Sequence, residues 1–284
     1  MSLITYRTLS RSDIQAGLRL CRLAHWNQLA ADWELFLTLS PQGCRAAVSD
    51  DQVVGTVTTV NFQDCFAWVG MVLVDPGYRG HGIGTRLLTL SVEILEGVPA
   101  VRLDATPQGK PVYERMGFVA EYELSRMQIE LTSDSGVPSS VRTIPLGYQD
   151  LEKVLEMDQQ VFGADRGPLL DWALARAPEY AWVVKGDSGV EGYCFGRHGY
   201  AFEQIGPVVA HQQEVAEQLV VSCLRGNAGK KFILDPPCFS ADWLQWLSQV
   251  GFLHQRPFTR MCFGEIRHPG IPQKQWAIFG PEVG

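Results

Sequence analysis

With 284 residues, 46% of them apolar and 19% charged, the chain has the size and composition of two packed domains, which excludes a disordered polypeptide. A formal charge of −7 sets it against phosphate backbones and excludes bulk nucleic-acid binding. No apolar run approaches the ~20 residues that span a bilayer, so no membrane partner is expected.

The seven cysteines are scattered without a C-x-x-C pair, and the histidines show no H-x-x-x-H spacing. Reduced thiols, no metal site and a cytoplasmic protein are the expectation. The opening Met1–Arg7 carries no basic leader followed by an apolar stretch, so no secretory signal is expected either.

In chain order, Trp26 and Trp33 lie seven residues apart on a predicted helix and read as core. Phe66 to Val74 is an almost unbroken apolar run, the pattern of a strand buried on both faces. Asp75-Pro-Gly-Tyr ends it with turn chemistry. Ile83, Leu87, Leu90 and Ile94 recur at helical spacing and predict a helix stopped by Gly97 and Pro99. Val98 to Asp104 reads as a strand, Lys110 to Met116 as a short helix closed by Gly117, and Glu121 to Glu130 as a returning strand. Strand, helix, parallel strand and helix make an α/β unit with a mixed sheet.

Much of this pattern recurs. Phe66-Ala-Trp-Val-Gly70 lines up with Phe202-Glu-Gln-Ile-Gly206, and Val101-Arg-Leu-Asp104 with Phe232-Ile-Leu-Asp235. Gly117-Phe118, followed by Arg126-Met127, lines up with Gly251-Phe252, followed by Arg260-Met261. Three marks in the same order predict a tandem duplication: a first domain over 1–131, a linker over 132–140, a second domain over 141–267 and an apolar tail, 268–284, that docks back. The linker is centred on Ser133-Asp-Ser-Gly-Val-Pro-Ser-Ser140.

Between the buried strand and the helix stands Arg79-Gly-His-Gly-Ile-Gly-Thr85. Alternating glycines allow φ > 0 and bare the backbone N–H groups, and the helix start adds unpaired donors, so the loop suits a pyrophosphate with Arg79 beside it. A nucleotide P-loop would need a lysine after Gly84, and a dinucleotide fingerprint a glycine at Thr85. A glycine-rich turn without a ligand is the plain alternative.

Arg79-Gly-His-Gly-Ile-Gly84 resembles the R/Q-x-x-G-x-G/A signature of the GNAT N-acetyltransferases, and Tyr113-Glu-Arg-Met-Gly-Phe118 resembles the Y-x-x-x-G-F that closes their cofactor half. The resemblance covers about residues 3 to 131. Residues 141 to 267 look like a degenerate copy in which Ala210-His-Gln-Gln-Glu214 replaces the loop. By resemblance the fold is two tandem acyl-CoA N-acyltransferase domains, and the activity is transfer of an acetyl group from acetyl-CoA to a primary amine of a small molecule held between them.

The resemblance assigns the pantetheine arm to Val72, Leu73 and Val74, and the pyrophosphate to Arg79, Gly80, His81, Gly82, Ile83, Gly84 and Thr85. It makes the Val72 N–H the oxyanion donor and Tyr113 the acid that protonates the leaving thiolate. Thr106 stands where the family often has an asparagine. The strand carboxylate that many members use as base is missing from Phe66–Val74; Asp32, Glu34 and Glu203 are the candidates to replace it. A cleft lined from both domains, with Trp172, Trp182, Trp243 and Trp246 from the second, is the expected acceptor site. The protein would be a monomer or homodimer, and a non-catalytic acyl-CoA sensor is the alternative function.

Overall fold

The structure, a computed structural model, describes residues 3–133, 142–187 and 189–284; apart from its first residues, the expected linker lies outside them. The first half comprises β1 (Thr5–Thr8), α1 (Ile14–Leu23), α2 (Ala30–Leu39), β2 (Arg45–Ser49), β3 (Gln52–Phe62) and β4 (Phe66–Val74). It continues with α3 (Ile83–Ile94), β5 (Ala100–Ala105), α4 (Lys110–Arg115) and β6 (Val119–Glu130). The second half has β7 (Ile144–Pro145), α5 (Tyr148–Phe162), α6 (Gly167–Arg176), β8 (Trp182–Gly186) and β9 (Gly189–Arg197). There follow β10 (Glu203–Ala210), α7 (Gln213–Leu224), β11 (Lys231–Leu234), α8 (Ala241–Val250), β12 (Leu253–Gly264) and the short β13 (Gln275–Ala277).

The apolar run forms β4 over the predicted residues, because side chains on both faces find cover. On α3 the buried stripe differs from the predicted one. Ile83, Leu87, Leu88 and Ser91 face the sheet, whereas Ile94 is exposed. Ser91 escaped notice as a core position because it is polar; its hydroxyl is satisfied by donating to the Leu87 carbonyl.

All strands join one mixed sheet, in the order β1-β2-β3-β4-β5-β12-β6-β11-β10-β9-β8-β7, with β13 added against β10. The halves of the sequence are therefore not the halves of the sheet. β12, from the second half, pairs with β5 of the first (Met261↔Leu103), and β6, from the first half, pairs with β11 of the second (Ile129↔Phe232). The two exchanged strands also pair antiparallel with each other. Each repeat thus completes the other's sheet.

One large core, beneath α1, α2, α5 and α6, runs across both halves and takes in Phe279 and Val283 of the tail. On the opposite face α3 covers a core with β3, β4 and β5, and α7 and α8 cover another with β10 and β11. Among the described residues no helix is long and apolar enough to cross a membrane.

Candidate active site

The parallel strands β4 and β5 pair only at Ala67↔Val101 and Trp68↔Arg102, then diverge. On the β3 side, Thr58 opposes Gly70 and Thr56 opposes Leu73, so Met71 and Val72 together face one residue in a bulge. Met71 takes φ 51°, and its carbonyl accepts a hydrogen bond from the Thr56 hydroxyl at 2.9 Å. The bulge and the parting strands leave the Val69–Val74 backbone lining an open cleft of about 600 Å³.

Where β4 ends, Gly80 (φ 82°) and Gly82 (φ 74°) turn the chain into α3, and a Cβ on either would meet nothing within 4 Å. Their absent side chains serve approach from outside and not internal packing. Gly82 caps α3, whose first backbone N–H groups have no partner within the helix. Arg79 donates to the Val74 carbonyl at 3.2 Å, which holds the guanidinium at the cleft mouth beside Gly84. Across the cleft, Thr106 accepts from Gly109 N–H at 3.2 Å and fixes the turn into α4, which carries Tyr113. The Tyr113 ring lies against Phe118, 6.0 Å between centroids, and lines the cleft. Burial pushes its phenol up to about 12, so it holds its proton at neutral pH.

A parallel pair that splays at a bulge and opens into a glycine-bared helix start can take an extended segment along the strand edge and an anion at the helix start. Comparison with known proteins agrees with that shape. Residues 41–120 and 154–280 each match a family described as an acetyltransferase (GNAT) domain, together more than two thirds of the chain. The chain is a two-domain GNAT protein and an acyltransferase by family. It is 28% identical to the holothin acyltransferase of a Pseudoalteromonas species over 91% of this chain and 87% of that one. Its fold is shared with a protein of Pyrococcus horikoshii provisionally classed as an acetyltransferase (TM-score 0.84, 22% identity, 99% and 96% covered). A tandem GNAT protein from the clavulanic acid biosynthesis pathway shares it too (TM-score 0.65, 14% identity, 92% and 98% covered).

The second GNAT unit repeats the splay but not the opening. β10 and β11 pair only at Glu203↔Phe232 and Gln204↔Ile233, and β13 then fills the gap, pairing Ala277 with Val208. Ile278 N–H donates to the Asp235 carbonyl at 3.0 Å, so the tail bonds to both parted strands. Trp243 donates its indole N–H to the Trp276 carbonyl and Trp276 donates to the Ala210 carbonyl, each at 3.0 Å. A chain segment therefore occupies this slot, and α7 starts from Gln212 without a glycine loop.

The tail then crosses to the first GNAT unit. A Cβ on Gly206 would stand 2.0 Å from the Ile278 carbonyl oxygen, and one on Gly70, its repeat counterpart, 2.4 Å from that of Glu282. Trp68 donates to the Pro281 carbonyl at 3.0 Å, and Pro281 and Glu282 form part of the cleft wall.

Beneath the cleft lies a polar floor built from both halves. Arg126 pairs with Asp235 through two bonds of 2.7 Å, and Arg260 with Asp104 through two of 2.9 Å. Arg197 donates to Asp32 at 2.6 Å, to Gln204 at 2.9 Å and to Glu282. Gln204 passes the network on to Asp235 at 3.1 Å. Burial outweighs the facing arginine at Asp104 and Asp32 and raises both carboxyls above their ordinary range.

Of the expected residues, Val72, Leu73, Val74, Arg79, Gly84, Thr106 and Tyr113 line the cleft. Gly80, His81, Gly82 and Thr85 are exposed on the same loop but do not line the cleft, and Ile83 turns into the α3 core. None of the three carboxylates expected near the acceptor lines the cleft, although Asp32 belongs to the floor beneath it. Asp32 is buried as the cap of α2, accepting from Leu29 N–H at 2.6 Å and from Arg197. Glu34 sits on the exposed face of α2, and Glu203 is bound to His198 at 2.7 Å. Trp26 lines the cleft, but Trp172, Trp182, Trp243 and Trp246 do not; Trp243 is buried against the tail strand. Sequence reasoning missed Gln28, Arg256 and Glu282, all in the wall. No local pattern marks them, since three distant segments bring them together.

Proposed function

We propose that the chain transfers an acyl group from acyl-CoA, acetyl-CoA in the simplest case, to the amine of a small molecule bound in the β4–β5 cleft. The observation that carries this reading is the contrast between the two splays: one lies open and leads to bare glycines, while the other is filled by the tail. The family name of the Pseudoalteromonas relative supports an acyltransferase. In this reading the first unit binds the donor, and the second supplies the tail and half of the polar floor.

The chemistry asks three things of the chain. The pantetheine arm would bond along Val72–Val74 as an added strand, with its diphosphate on the Gly80–Thr85 amides beside Arg79. The amine nitrogen attacks the thioester carbonyl carbon and the C–N bond forms to give a tetrahedral oxyanion; its collapse then re-forms the carbonyl and breaks the C–S bond. The Val72 N–H would hold the oxyanion between these events, a contribution of about 3 kcal/mol. The nitrogen loses a proton to water in the cleft, and the departing sulfur takes one from the Tyr113 hydroxyl.

Isothermal titration of the full chain with acetyl-CoA tests the donor site, and release of free CoA thiol with a library of amines tests transfer. Saturable binding with amine-dependent thiol release is the expected result. Binding without any amine-dependent release would favour an acyl-CoA sensor, and no binding at millimolar donor would end the reading.

A further inference from the structure

The charged groups of the polar floor do not cancel evenly along the cleft. Arg126 is matched by Asp235 and Arg260 by Asp104, one to one. Arg197 alone faces two carboxylates, Asp32 and Glu282, where the tail enters. The Arg256 side chain has no ion pair or hydrogen bond among the described residues, and its Nε is buried without a partner. It is opposite Arg126 on the β12–β6 ladder, and both guanidiniums lie over the Phe258 ring, at 5.2 and 5.1 Å. Burial and the neighbouring Arg126 pull its guanidinium down to about 10, the mark of a cation without its counter-ion. Asp235 is the nearby carboxylate, and both its oxygens are taken by Arg126 and Gln204.

A third group points the same way. Gln28 is 6% exposed and lines the cleft, yet its side chain makes no hydrogen bond among the described residues, and its Oε1 is fully enclosed. A buried amide without a partner costs about 1–3 kcal/mol, a cost that a polar group of a ligand in the cleft would offset. Glu282, Gln28 and Arg256 thus offer the acceptor one negative pole, one neutral polar group and one positive pole within a single cleft.

We propose that the acceptor is an amino acid-like molecule whose carboxylate binds Arg256 and whose amine lies toward Glu282 and Gln28. This rests on the acyl-transfer reading for the reaction, but the charge pattern speaks to binding alone. A carboxylate fits better than a phosphate monoester. Arg79 lies in the proposed donor loop and Arg126 is matched, so Arg256 brings one uncompensated positive charge, and a dianion would leave one charge unpaired in a partly buried wall.

The test uses the full chain and a panel of α- and ω-amino acids paired with their carboxamides. Calorimetric binding is measured with and without coenzyme A, and thiol release with acetyl-CoA. At least one acid should bind ten-fold or more tighter than its amide. Arg256→Gln should erase that preference while leaving the affinity for acetyl-CoA unchanged, and Arg256→Lys should restore part of it. Gln28→Leu should weaken the acid and its amide alike. If every amide bound as well as its acid, or if Arg256→Gln weakened acid and amide equally, the proposal would be overturned. A protein that binds acids selectively but transfers nothing would overturn the acyltransferase reading and leave this one standing. Transfer to amides as readily as to acids would do the reverse.

Discussion

Arg126 and Asp235 belong to different halves of the sequence, yet they meet in a buried two-bond pair of 2.7 Å, and their repeat counterparts Arg260 and Asp104 meet in the same way. Each repeat lends its arginine to the other's aspartate because β6 and β12 have changed places. Removing one partner strands a charge away from water, at a cost of about 3–5 kcal/mol. Asp235→Asn should therefore lower stability in urea by that order, and Asp235→Asn with Arg126→Met should recover part of the loss. A double variant no more stable than the single one would count against the pair as the cause.

The same exchange ties the halves into one cooperative unit. Residues 1–131 alone would leave β5 without β12 and expose both edges of β6. The isolated half should aggregate or stay unfolded, and the full chain should melt in a single transition by both circular dichroism and tryptophan fluorescence. Two separated transitions would contradict this.

Gly82 caps α3 at φ 74°, with open space where a side chain would stand. Gly82→Leu should cost only about 1 kcal/mol of stability through its backbone strain. Its larger effect should fall on acetyl-CoA, with affinity reduced ten-fold or more in a titration, since the leucine would occupy the position proposed for the diphosphate.

Tyr113 keeps its proton far above neutral pH because burial pushes the phenol up to about 12. A raised pKa preserves the donor form until the pH approaches that value, so the rate should show no fall near pH 10 from ionisation of this group. Tyr113→Phe should lower kcat by about 10²-fold or more with little change in donor KM, the range for loss of one proton donor. An equal loss in affinity would mean that the ring packs against the donor and gives it no proton.

Gly70 lies against the Glu282 backbone, where a Cβ would stand 2.4 Å from a carbonyl oxygen. Gly70→Ala should push the tail out of the cleft wall, which would show as faster proteolysis near the tail and a lower melting temperature. Glu282→Gln should leave the tail seated, so the two variants separate the tail's position from its charge.

The local signals were strong wherever physics acts over a few residues. The apolar run of β4, the glycines before α3 and the turn after α4 dictate their own conformations, so the GNAT family and the glycine turn into α3 could be read before any fold was known. The repeat was legible as well, down to the arginines and aspartates that mark it. What the sequence withheld was which arginine meets which aspartate, because strand order is settled by long-range pairing and nothing local distinguishes a strand that stays from one that crosses over. The far wall of the cleft was hidden for the same reason. Gln28, Arg256 and Glu282 are ordinary residues in a helix–helix loop, a strand and a tail, and only the folded chain brings them, two of them buried and Arg256 partly so, beside the same opening.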